Sequence, residues 1–106
     1  MERRKREHIE QLQRAIHKLH GCESTHVQTI RVQEIFRGET VWQGDVEELG
    51  LIDHPRAKTC YAWTYQEDGR ECCAAILGSR AIKSALDAVK AFIMSQNNDQ
   101  SEETPD

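Results

Sequence analysis

Residues 58–77, KTCYAWTYQEDGRECCAAIL, constrain the fold more than any other part of this chain. Two extended runs flank Asp68-Gly69, a dipeptide that readily adopts the positive φ angles of a two-residue hairpin turn. Side chains of a strand alternate between its two faces. In the first run, one face carries the aromatic side chains of Tyr61, Trp63 and Tyr65. The other face carries the small side chains of Cys60, Ala62 and Thr64. The stretch therefore predicts an antiparallel β-hairpin.

The composition is typical of one globular domain. The chain has 106 residues, which is near the usual length of a single domain. No apolar run approaches the roughly 18–20 residues of a membrane span, and no apolar segment follows the basic N-terminus as it would in a secretory signal. We therefore expect a cytoplasmic protein whose four cysteines stay reduced and unbridged.

Helical and strand patterns precede the hairpin. Residues 1–20 are predicted to form a helix, because apolar residues recur there at spacings of three and four: Ile9, Leu12, Ile16 and Leu19. Gly21 is typical of the left-handed residue that ends a helix. Strands are predicted over residues 25–36 and 40–49, and Gly44 in the second indicates a bulge or a close approach of another group to the backbone.

The last predicted element is a helix whose apolar residues also lie on one stripe: Ile82, Leu86, Val89 and Ile93. Two starts are possible, at Ser79 or at Ser84 with Asp87. Ser79 is favoured because that start brings Ile82 into the stripe. From residue 95 the sequence is polar and aperiodic. Residues 1–94 are therefore predicted to be a single domain, and residues 95–106 a disordered acidic tail.

The element order α-β-β-β-β-α predicts a two-layer α+β fold, with a four-stranded antiparallel sheet and both helices on one face. Small side chains such as Cys60 and Ala62 would let the helices approach closely. The aromatic side chains would then project from the uncovered face. The inverse assignment, with the aromatics under the helices, also fits, because aromatic side chains carry large apolar areas. We expect the aromatic side chains to lie on the uncovered face of the sheet.

An exposed aromatic face would be a surface for binding another protein. Its members are Trp42, Tyr61, Trp63 and Tyr65. Large exposed apolar patches mark interaction sites, and a self-complementary face would give a twofold homodimer. The expected function is thus a non-catalytic protein-interaction domain that self-associates. On this hypothesis Trp63→Ala weakens association and leaves a folded monomer.

Nucleic-acid binding is the alternative function. The layout, and Ser79-Arg80-Ala81-Ile82-Lys83 at the opening of the last helix, resemble the double-stranded RNA-binding domain. That family has a dense lysine cluster there, whereas this chain has only Arg80 and Lys83. The predicted sheet also has one strand more than the sheet of that family. RNA binding would use the basic N-terminal helix first, through Arg3, Arg4, Lys5 and Arg6. The acidic balance of the sheet region argues against base stacking on its aromatics.

Metal binding and catalysis are not expected. Four residues near the end of the first helix are of the types that bind zinc: His17, His20, Cys22 and His26. Their spacing matches no zinc signature, so no metal or other cofactor is predicted. The chain also lacks a glycine-rich phosphate loop, a nucleophile elbow and a metalloprotease helix motif. No enzymatic activity is therefore predicted.

Overall fold

A computed structural model describes the backbone of residues 2–103 and the side chains of residues 5–95. The elements are α1 Glu2–His20, β1 Glu23–Phe36, β2 Glu39–Ile52, β3 Thr59–Glu67, β4 Arg70–Leu77 and α2 Ala85–Glu103. The strands form one antiparallel sheet in the order β1-β2-β3-β4. This confirms the predicted α+β fold and its element order.

Two tight turns of the same kind close the two hairpins. Asp68 and Gly69 have φ angles of 55° and 78°, and Arg37 and Gly38 have 54° and 81°. Positive φ at both central residues is the mark of a type I′ turn, whose twist matches that of the flanking strands. The turn predicted at Asp68-Gly69 is thus confirmed, and the β1–β2 connection uses the same geometry.

The end of α1 agrees with the sequence pattern except at one residue. Gly21 has a φ of 74°, and its N–H donates to the His17 carbonyl at 2.8 Å, as expected of a left-handed C-cap. Ile9, Leu12 and Ile16 are buried, but Leu19 is 60% exposed. At 3.6 residues per turn, His20 lies closer to the centre of the apolar stripe than Leu19 does. His20 accordingly faces the sheet, with Nε2 3.1 Å from the Ala75 carbonyl oxygen.

The two helices cover opposite faces of the sheet. One core contains residues of α1 with Leu49, Cys60 and Ala62. The other contains residues of α2 with Val46, Tyr61 and Trp63. The prediction of both helices on one face is therefore wrong. Apolar side chains of β3 and β4 point to both faces, so burial of this hairpin requires a cover on each side.

The start of α2 corrects a second expectation. Ser84, not Ser79, caps the helix: the Asp87 N–H donates to Ser84 Oγ at 3.1 Å, and Asp87 Oδ2 accepts from the Lys83 N–H at 3.0 Å. Ser79 instead closes a turn, because its Oγ accepts from the N–H groups of Ala81 and Ile82. The local pairing of Ser84 with Asp87 decides the start.

The boundary between domain and tail stays a prediction. α2 continues to Glu103, beyond the predicted helix end at residue 94. Residues 104–106 lie outside the described part of the chain, as do the side chains of residues 96–103. The packing that would distinguish a tail from the domain is therefore not described for these residues.

Gly44 provides room for a tryptophan ring. A Cβ at this position would lie 3.1 Å from Cη2 of Trp42, which confirms the expected close approach. Gly44→Val is expected to lower the free energy of unfolding by about 1–3 kcal/mol, because the added side chain must displace a rigid ring. Urea unfolding followed by circular dichroism measures the change. A variant as stable as the wild type would show that the Trp42 ring moves aside freely.

Candidate interaction surface

The predicted aromatic face lies in the core under α2. Trp63 is 1% exposed, Tyr61 is buried, and Trp42 and Tyr65 are half-buried. Phe92 of α2 packs edge-to-face against two of these rings, with centroid distances of 5.4 Å to Trp63 and 4.9 Å to Tyr65. The expectation that these aromatics project from an uncovered face is therefore wrong. The inverse assignment is correct, because α2 covers this face.

The pKa values of two buried β3 side chains, Cys60 and Tyr61, are raised, which favours their neutral forms in the core. Burial raises the pKa of the Tyr61 hydroxyl, and the carboxylates of Glu48 and Asp87 raise it further. Burial, with a smaller contribution from Cys22, raises the pKa of the Cys60 thiol to about 12. A thiol with so high a pKa is a poor nucleophile at neutral pH, because the thiolate is the reactive form. Both side chains therefore act as packing groups.

An apolar surface lies elsewhere, at the far end of the β1–β2 hairpin. β2 pairs with β3 only from Glu47 to Gly50, so the hairpin extends well past this short ladder to its turn at Arg37-Gly38. Four apolar residues of the hairpin end and α2 line a groove of about 400 Å³ there: Phe36, Val41, Ile93 and Met94. We call these four residues the hairpin-end surface.

The hairpin-end surface is accessible to a partner. Phe36 is 58% exposed and Met94 is 62% exposed, and Val41 is exposed as well. The Arg37 guanidinium lies 5.1 Å from the centre of the Phe36 ring, within the range of a cation–π contact. Sequence reasoning assigned Phe36 and Val41 to strands without separating them from core residues. Their position beside a two-residue turn is the signal that could have identified them.

Two opposite charges line the same groove. Glu34 of β1 and Lys90 of α2 both border it. Within residues 5–95, whose side chains are described, these two do not form an ion pair with each other. The groove thus combines an apolar lining with one acidic and one basic group.

The basic residues of the nucleic-acid alternative lie on different sides of the sheet. Lys5 of α1 donates a hydrogen bond to Thr29 Oγ1, on the face that α1 covers. Lys83 borders a second groove, between β1 and the start of α2, on the opposite face. Arg6 and Arg80 are exposed, and the side chains of Arg3 and Arg4 lie outside the described residues. RNA binding stays a prediction.

The four candidate zinc ligands have separate neighbours. His17 lies 3.5 Å from Glu23, His20 contacts a backbone carbonyl of β4, and Cys22 is buried in the core under α1. His26 Nε2 is 2.8 Å from Glu47 Oε1. Among the described residues, no three His, Cys, Asp or Glu side chains converge in a way that could hold a metal ion.

A buried carboxylate on the face covered by α1 was not identified as a structural group from the sequence. Glu47 is 2% exposed, and its Oε1 accepts a hydrogen bond from Thr29 Oγ1 at 2.5 Å besides contacting His26. These contacts offset the cost of burying the charge. His26 and Thr29 both contact the same carboxylate oxygen, Oε1 of Glu47. The network stabilises the packing of β1 on β2.

Comparisons with protein families, with curated proteins and with solved structures found no match. Over the part of the chain that the structure describes, neither helix combines the length and the apolar character needed to cross a membrane.

Proposed function

We propose that this chain is a non-catalytic protein-association domain that binds its partner through the hairpin-end surface. The observation that carries the proposal is the grouping of Phe36, Val41 and Met94, all exposed, around one groove. Contiguous exposed apolar side chains are typical of interaction sites, because water contact with them is unfavourable until a partner covers them. Aromatic residues and methionine are also enriched at interfaces.

This proposal keeps the predicted class of function and changes the surface. The aromatic residues of β3 stabilise the fold, while Phe36 and Met94 serve association. The proposed site of action is the cytoplasm, and the four free cysteines support a reducing compartment.

A photo-crosslinking amino acid placed at position 36 tests the proposal. The benzoylphenylalanine side chain replaces one exposed aromatic ring by another, so the fold is expected to be retained. Irradiation of cells that produce the full chain should give a defined covalent adduct with a protein. The same group at Leu19, which is equally exposed on α1, is the matched control and should give at least tenfold less adduct. Equal yields from both positions would contradict the proposal.

A further inference from the structure

We infer that the partner of the hairpin-end surface is a second copy of this chain, bound across a twofold axis. This inference rests on the proposed function and names the partner of that same surface. Its basis is the charge pattern of the groove, where Glu34 and Lys90 stand beside the apolar residues without pairing with each other in the described chain.

A twofold axis makes this pattern self-complementary. In an isologous interface the same patch meets itself, so a contact between residue i of one protomer and residue j of its partner occurs twice. Glu34 of one protomer then faces Lys90 of the other, and the reciprocal pair forms on the far side of the axis. The apolar residues lie between the two pairs, where Phe36 of each protomer packs against Val41 and Met94 of the other.

Other partners fit this groove less well. An anionic membrane or nucleic acid would require a cluster of basic groups, whereas the groove has one acid and one base and the whole chain carries a net charge of −4. A strongly charged peptide of either sign would meet one like charge. A partner with one acid and one base around an apolar centre satisfies both groups, and a second copy has this composition.

Charge reversal and mixing test the inference. Sedimentation equilibrium of the full chain, at protein concentrations from about 1 μM to 1 mM, should show an equilibrium between monomer and dimer, as expected of a weak, transient interface. Glu34→Lys alone and Lys90→Glu alone should each weaken dimerisation about tenfold, because each creates two like-charge contacts. An equimolar mixture of the two variants restores both opposite-charge contacts and should dimerise about as well as the wild type.

The controls separate this inference from the proposed function. Lys58→Glu reverses an exposed charge in the β2–β3 connection and should leave dimerisation unchanged. A wild type that stays monomeric up to 1 mM, or a mixture no stronger than either variant alone, would overturn the second copy as partner. In that event an adduct from position 36 with a different protein would still support association through this surface.

Discussion

Replacing Trp63 by alanine is expected to lower the free energy of unfolding by about 3–5 kcal/mol, the usual range for removing a large buried aromatic. Trp63 is 1% exposed and packs edge-to-face on Trp42 and Phe92, so its loss leaves a cavity between the sheet and α2. A domain of this size has about 5–15 kcal/mol of stability in total. The variant should therefore unfold at much lower urea concentration, as measured by circular dichroism.

The conservative variant Trp63→Phe separates packing from polarity. Among the described residues, the buried Trp63 Nε1 has no hydrogen-bond acceptor, and an unpaired buried donor costs about 1–3 kcal/mol. Phenylalanine keeps an aromatic ring and removes this donor, so its loss of stability should be much smaller than that of alanine. A Trp63→Ala protein that stays fully stable but associates less would instead support the aromatic-face hypothesis.

Leu12→Ala is expected to lower the free energy of unfolding by about 2–5 kcal/mol, as typical of a buried leucine. Leu12 is completely buried in the core that α1 forms with Cys60 and Ala62, on the face opposite Trp63. Urea unfolding measures the loss. The prediction tests whether the side of α1 that carries Leu12 packs on the sheet. If that side were exposed to solvent, the change would have little effect.

Leu19→Ala is the matched control for this experiment. It removes the same atoms from the same helix, but from a side chain that is largely exposed, and exposed substitutions usually change stability by less than about 0.5 kcal/mol. Comparable losses from both variants would contradict the placement of Leu12 in the core and Leu19 outside it.

Local signals in the sequence predicted the elements well. Asp68-Gly69 and Gly21 occupy the positive-φ positions that their residue types favour, and the element order followed from periodicity. These features depend on a few neighbouring residues, so they can be derived without knowing the rest of the fold. The predicted start of α2 at Ser79 was wrong because two serines offered competing caps, and the hydrogen bonds of Asp87 favour Ser84.

The side of the sheet that each helix covers could not be decided from periodicity alone. Alternation shows which residues share a face, and both faces of the β3–β4 hairpin offered apolar groups. In the structure, α1 covers the small residues Cys60 and Ala62, and α2 covers the aromatic residues Tyr61 and Trp63. The all-apolar pattern of the second run, CCAAIL, is the clue to two-sided burial.

The hairpin-end surface was harder to predict because it depends on a non-local register. Phe36 and Val41 are of the same residue types as the core, and the turn beside them does not show how far the hairpin extends past the rest of the sheet. Their exposure follows from the short pairing of β2 with β3, which leaves the end of the β1–β2 hairpin beyond the rest of the sheet. That pairing joins strands across an irregular connection with no tight-turn signal.

The short ladder between β2 and β3 also affects how the domain can fold. Each hairpin is held by a local turn and its own long ladder, whereas the ladder between the two hairpins has only four residue pairs. α1 contacts β1, β3 and β4, and α2 contacts β1, β2 and β4, so each helix bridges both hairpins. We therefore expect strand pairing to form first within each hairpin, because those contacts are local, and the two helices to couple the hairpins when the domain unfolds.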